Sequence, residues 1–154
     1  MEFRQKRPFR SPQDEAFVNL LRTADALLRE VEETLKNSGL SQTQYNVLRI
    51  LRGAGPAGLA CREIGNRMIT RDPDITRLLD RLEARGLVRR TRERSDRRVV
   101  ISRITAQGLR MLQQLDEPIS LLHRRQFRNV PARRLRLLVS LLEQARERDG
   151  TRPE

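Results

Sequence analysis

Apolar residues recur three and four apart at Phe17, Leu20, Leu21, Ala24, Leu27, Leu28, Val31 and Leu35, which predicts an amphipathic helix from about Pro12 to Asn37, ended by Gly39. Ser41 followed three residues later by Gln44 is a capping-box pattern, because each side chain can satisfy a free backbone N–H of the helix that begins there. Tyr45, Leu48, Ile50 and Leu51 form the apolar face of that helix, and Gly53 to Gly58, with Pro56 inside, reads as a loop. A short helix follows at Cys61 to Met68. Asp72 as N-cap and Pro73 as first helical residue open the next, whose single stripe of Ile75, Leu78, Leu79 and Leu82 stops at Gly86. Two short helices joined by a tight connection outline a helix-turn-helix. Leu87 to Thr91 and Val99 to Ile104 are β-branched runs around a polar turn, hence a hairpin.

Thr105 is placed to cap a long helix carrying Leu109, Leu112, Leu115, Ile119 and Leu122, which Pro118 should kink or break. A last helix starts near Pro131 and repeats Leu135, Leu138, Leu142 and Ala145. The striped segments 12–37 and 109–148 flank a compact middle, 41–105, and carry more apolar surface than so small a middle can cover. They are expected to bury part of it against a second copy of the chain; a self-contained monomeric bundle is the alternative. Residues 1–11, which are basic, and 149–154 read as flexible tails.

Charge changes the picture. The 154 residues, 18.0 kDa in all, suffice for one domain with a sizeable core or for one domain with an oligomerisation extension, and they carry a net charge of +12 with a pI near 11.5. Seven arginines lie between Arg85 and Arg98 against only Glu93 and Asp96. Arginines spread over a solvated surface would be one explanation, but this concentration favours a polyanion, with double-stranded DNA the expected partner. The helix from Pro73 to Arg85 has the width to enter a major groove. Its own charges nearly cancel, Arg77, Arg81 and Arg85 standing against Asp74, Asp80 and Glu83. Near its start, Arg71, Asp74, Thr76 and Arg77 are candidate contacts, Thr76 suited to a phosphate and Arg77 to a guanine edge or phosphate. For Asp74 the preferred explanation is an acid placed favourably at a helix N-terminus. The missing attraction falls to Arg92, Arg94, Arg97 and Arg98 of the hairpin, which can reach phosphates or a narrow minor groove.

One cysteine and one histidine exclude a disulfide within the chain and a cysteine-based zinc site, and no metal or cofactor is expected. No Gly-rich phosphate loop, nucleophile elbow or His–Cys dyad is present, so the chain is not read as an enzyme. Cys61 opens a short helix, where a lowered pKa would allow a redox role; a small half-buried side chain is the plainer account. No stretch approaches the roughly 20 apolar residues that cross a bilayer, and the basic N-terminus is followed by no apolar signal region, so a soluble, cytoplasmic protein with no membrane partner is expected.

The run ITRLLDRLEARGLVRR (75–90), followed by SDRRVVISRITAQG (95–108), resembles the MarR-type bacterial transcription regulators. It carries their Asp-x-Arg wing signature at Asp96 and Arg98 and their Leu-Thr-x-x-Gly step into the next helix, with Ile104 in place of the leucine. The resemblance implies a mainly α fold with a small β-hairpin wing, a winged helix-turn-helix core flanked by long dimerisation helices. It further implies a homodimer that represses from a palindromic operator, with Arg98 in the minor groove and Asp96 orienting the wing. A small anionic or phenolic effector would bind between the dimerisation helices and the DNA-binding lobe. The residues themselves leave two rivals open: a winged-helix module docking an acidic protein surface, and a non-specific architectural DNA binder.

Overall fold

Capping side chains set the starts of several helices in the computed structural model, which describes residues 9–70, 74–93 and 96–147. Ser11 accepts the backbone N–H of Asp14 at 3.1 Å and, with Pro12 in the first position, opens α1 (Pro12–Leu35). One 3₁₀ turn, Lys36–Ser38, ends at Gly39 in the left-handed region. The Ser41–Gln44 capping box forms as expected, with bonds of 3.2 and 3.1 Å, and begins α2 (Gln42–Ala54). That helix runs further than its glycine suggests: Gly53 and Ala54 are helical, and only Gly55–Ala57 form a 3₁₀ turn.

The helix-turn-helix consists of α3 (Cys61–Arg67) and α4 (Ile75–Ala84). The expected N-cap is corrected: α4 begins at Ile75 with Asp74 as its cap, while Asp72 and Pro73 lie outside the described residues. The hairpin strands are β2 (Val88–Arg92) and β3 (Val100–Ile104), and they gain a partner that the pattern did not predict. A two-residue strand, β1 (Leu59–Ala60), pairs antiparallel with β3, giving a sheet of order β1-β3-β2. Gly58, at φ +69°, makes this possible, because a Cβ there would sit 2.5 Å from the Ser102 carbonyl oxygen.

Thr105 accepts the N–H of Gly108 at 3.1 Å and donates to the Gly86 carbonyl at 2.7 Å, fixing the start of α5 (Ala106–Gln126) to the end of α4. Pro118 does not break α5. Its ring removes one hydrogen bond, but the helix continues on both sides. Pro131 precedes α6 (Ala132–Arg146), as the pattern predicts.

The chain divides into two compact units, Met1–Ile119 and Ser120–Glu154. In the first, Leu35, Val47, Leu48, Leu51, Ile64, Leu79, Leu82, Leu87, Val88 and Leu112 are fully buried. Each such side chain contributes about 1.5–3 kcal/mol of burial. Val47 takes the place in the core that the pattern assigned to Ile50, which is only half-buried. Arg52 grips Asp116 with two bonds, of 2.8 and 3.0 Å, and ties α2 to the first half of α5. The second unit holds the end of α5 and α6, and α6 has no fully buried residue.

Candidate nucleic-acid interface

The tip of the hairpin is closed by an acid. Val99 donates its N–H to the Asp96 carbonyl at 3.0 Å, Glu93 donates to the Val99 carbonyl at 2.9 Å, and the Asp96 carboxylate accepts the backbone N–H of Arg98 at 2.9 Å. This side-chain-to-backbone turn holds Arg97 and Arg98 exposed at the tip, with Arg92 exposed at the end of β2. Arg71 and Arg94 lie outside the described residues.

At the start of α4, the Asp74 carboxylate accepts the Arg77 N–H at 3.0 Å and lies 3.4 Å from the Arg77 guanidinium. Asp74 is therefore engaged as a helix cap. Thr76 and Arg77 are exposed on the first turn, and Arg81 continues their side of the helix one turn on.

The cancellation of charge within α4 works differently from the expectation. Its acids are answered from the sheet: Arg90 of β2 donates through its guanidinium to both Glu83 (2.8 Å from Nε) and Asp80, and its backbone N–H donates to Glu83 at 2.9 Å. These bonds hold the Glu83 carboxyl below its ordinary pKa of 4.5, the Arg90 side chain contributing first and its backbone N–H second. Arg90 is raised, chiefly by its bond to Glu83. Arg85 is likewise a strut, donating to the carbonyls of Ser38 and Gly39 at 2.9 and 2.8 Å. Arg103 reaches the Pro56 carbonyl and the Thr91 hydroxyl. Structural arginines and surface arginines are thus interleaved. Arg89, Arg92, Arg97 and Arg98 make no side-chain hydrogen bond or ion pair among the described residues.

A cleft of about 430 Å³ separates α3 and α4 from the wing, and it brings Thr76 and Arg98 together with Cys61, Arg62, Leu79 and Arg90. The half-buried Cys61 sulfur lies 3.9 Å from the Thr76 hydroxyl. Ala60, Val99 and Val100 line it as well, and of its three arginines Arg90 is already engaged by Asp80 and Glu83.

Four residues were not among the candidate contacts named from the sequence. Arg81 and Arg89 are exposed basic residues that their helical and strand periods could have marked. Asn46 accepts the backbone N–H of Ile69 at 2.9 Å and so pins the turn between α3 and α4 from α2. Ile69 itself is 79% exposed. Nothing local signals that long-range bond.

Residues 40–100, which contain this arrangement, match the MarR family model. A MarR transcription factor from Planctomyces limnophilus is 43% identical, with a TM-score of 0.68 over 89% of this chain and 99% of that one. The chain belongs to the MarR family. That family is one of transcription regulators rather than enzymes. Among other MarR-like structures, CouR from Rhodococcus jostii RHA1, bound to p-coumaroyl-CoA, is 27% identical with a TM-score of 0.77 over 95% of this chain and all (100%) of that one. A cysteine-to-serine mutant of MarR from E. coli, complexed with operator DNA, is 25% identical with a TM-score of 0.76 over 83% of this chain and 91% of that one. As a MarR-family chain it has the mainly helical winged fold that its sequence implies, and among the described residues no helix is long and apolar enough to cross a membrane.

Proposed function

We propose that this MarR-family chain acts in the cytoplasm as a homodimeric repressor of a palindromic operator, placing one α4 and one wing on each half-site. The observation that carries the reading is the wing tip, where Asp96 holds the backbone of Arg98 and leaves the Arg97 and Arg98 guanidinium groups exposed. Arg98 enters the minor groove, Arg92, Arg94 and Arg97 contact phosphates, and Arg71, Thr76 and Arg77 contact the major-groove side. Asp74 and Asp96 act by positioning backbone. The likeness to MarR complexed with operator DNA supports this assignment. A small anionic or phenolic effector, of the kind that the p-coumaroyl-CoA complex of CouR exemplifies, releases the operator by binding between the dimerisation helices and the DNA-binding lobe.

Selection of bound duplexes from a random library tests the reading. An enriched palindrome bound roughly three or more orders of magnitude more tightly than random DNA is the expected result. Enrichment of no sequence would overturn it, leaving an architectural binder if random DNA is still bound and a protein-docking module if it is not.

A further inference from the structure

A second concentration of positive charge lies in the other unit. Six arginines, Arg124, Arg125, Arg128, Arg133, Arg134 and Arg136, fall within the last turn of α5, the following turn and the start of α6, and no acid occurs between Glu117 and Glu143. All six are exposed, and Arg124, Arg128, Arg133, Arg134 and Arg136 make no ion pair among the described residues. The turn that gathers them is ordered by backbone bonds from Phe127 to His123, Arg128 to Arg125 and Val130 to Phe127, of 3.2, 3.3 and 2.9 Å.

Local stability explains only two of the six. Arg124 and Arg125 end α5, where positive charge complements the helix dipole. Arg133, Arg134 and Arg136 open α6, which has no acid in its first turn, and there the dipole opposes them. Their position costs helix stability, and among the described residues no ion pair with a carboxylate offsets it. Guanidinium groups fork onto phosphate, and duplex DNA offers roughly one such charge per 1.7 Å of axis. A lipid surface fits less well, because the apolar side chains inside the cluster, Phe127, Val130 and Leu135, are half-buried, and the exposed Leu137, Leu138, Val139 and Leu141 that follow it belong to the face assigned to a second copy of the chain.

We propose that this arginine corner binds the phosphodiester backbone of duplex DNA without regard to sequence, as a contact surface additional to the wing. The corner would bind DNA whether or not the wing reads an operator.

The test is a titration of the full chain with a random-sequence duplex at several salt concentrations. It compares the original chain with Arg133→Gln/Arg134→Gln/Arg136→Gln and, for the other limb, Arg124→Gln/Arg128→Gln. The triple variant should lose about tenfold or more in affinity, and its salt slope should fall by about 0.9 for each phosphate contact removed. Its melting temperature should hold or rise, since charges that oppose the dipole are gone. The double variant should lose affinity in the same direction. An Arg97→Ala/Arg98→Ala wing variant should keep the corner's share of the slope. Unchanged affinity and slope in both corner variants would overturn the proposal. So would a loss confined to binding of phosphatidylglycerol vesicles.

Discussion

Asp96 places a negative charge in the turn of the wing, yet its carboxylate is engaged by the Arg98 N–H. Pure electrostatics and turn geometry therefore make opposite predictions. Asp96→Ala should weaken specific DNA binding despite making the wing more positive, and tighter binding by this variant would show that the acid is merely repelled. Arg98→Ala should cost about 1–3 kcal/mol of operator binding and lower the salt slope by about one unit per half-site if a phosphate contact goes with it. Gly108 is constrained differently: a Cβ there would lie 2.4 Å from the Leu87 carbonyl oxygen and 2.7 Å from the Ile104 side chain. Gly108→Ala should destabilise the chain by about 1–3 kcal/mol, read by denaturant titration, although alanine is the better helix former.

Between elements, the wing and α4 are joined by Arg90. Its bonds lower the Glu83 pKa, so their contribution to stability is complete above the unfolded value near 4.5 and fades as pH falls through the lower folded value. Glu83 is partly exposed, which limits the contribution to about 1 kcal/mol or less. Glu83→Gln should accordingly melt below the original chain at neutral pH, and the two should converge in acid. A gap that widens in acid would contradict the assignment. Arg90→Gln should weaken DNA binding more than loss of one surface charge accounts for, because it leaves Asp80 and Glu83 uncompensated on α4. The measurement is duplex affinity against Arg89→Gln, which removes a neighbouring arginine that holds no acid.

At the scale of the molecule, apolar residues of the flanking helices are uncovered: Phe17, Leu20, Leu21 and Leu28 of the predicted stripe on α1, and on α6 Leu138 of the predicted stripe together with Leu137, Val139 and Leu141 outside it, are all exposed. Patches of this kind mark interfaces, and a second copy of the chain is the partner that the proposed function requires. Leu138→Arg with Leu142→Arg should yield monomers with weak operator binding. Sedimentation of the unaltered chain as a monomer at micromolar concentration would refute the dimer.

Local rules account for what the sequence determined by itself. Capping side chains and helical stripes act within four residues, so Ser41 and Gln44, Thr105 and the Leu78, Leu79 and Leu82 face were legible, as were the hairpin and the Asp96–Arg98 signature. Glycine was less reliable in one dimension, since Gly53 could continue a helix that packing supported. What required the tertiary structure was every assignment that depends on distant backbone. The strand at Leu59–Ala60 exists because β3 offers it an edge, Asn46 is a clamp because Ile69 lies across from it, and Arg85 and Arg90 are struts because carbonyls and carboxylates far along the chain come within reach. An arginine that braces the fold and one that faces solvent have the same sequence signature. Only the fold brings a partner to one and leaves the other free for phosphate.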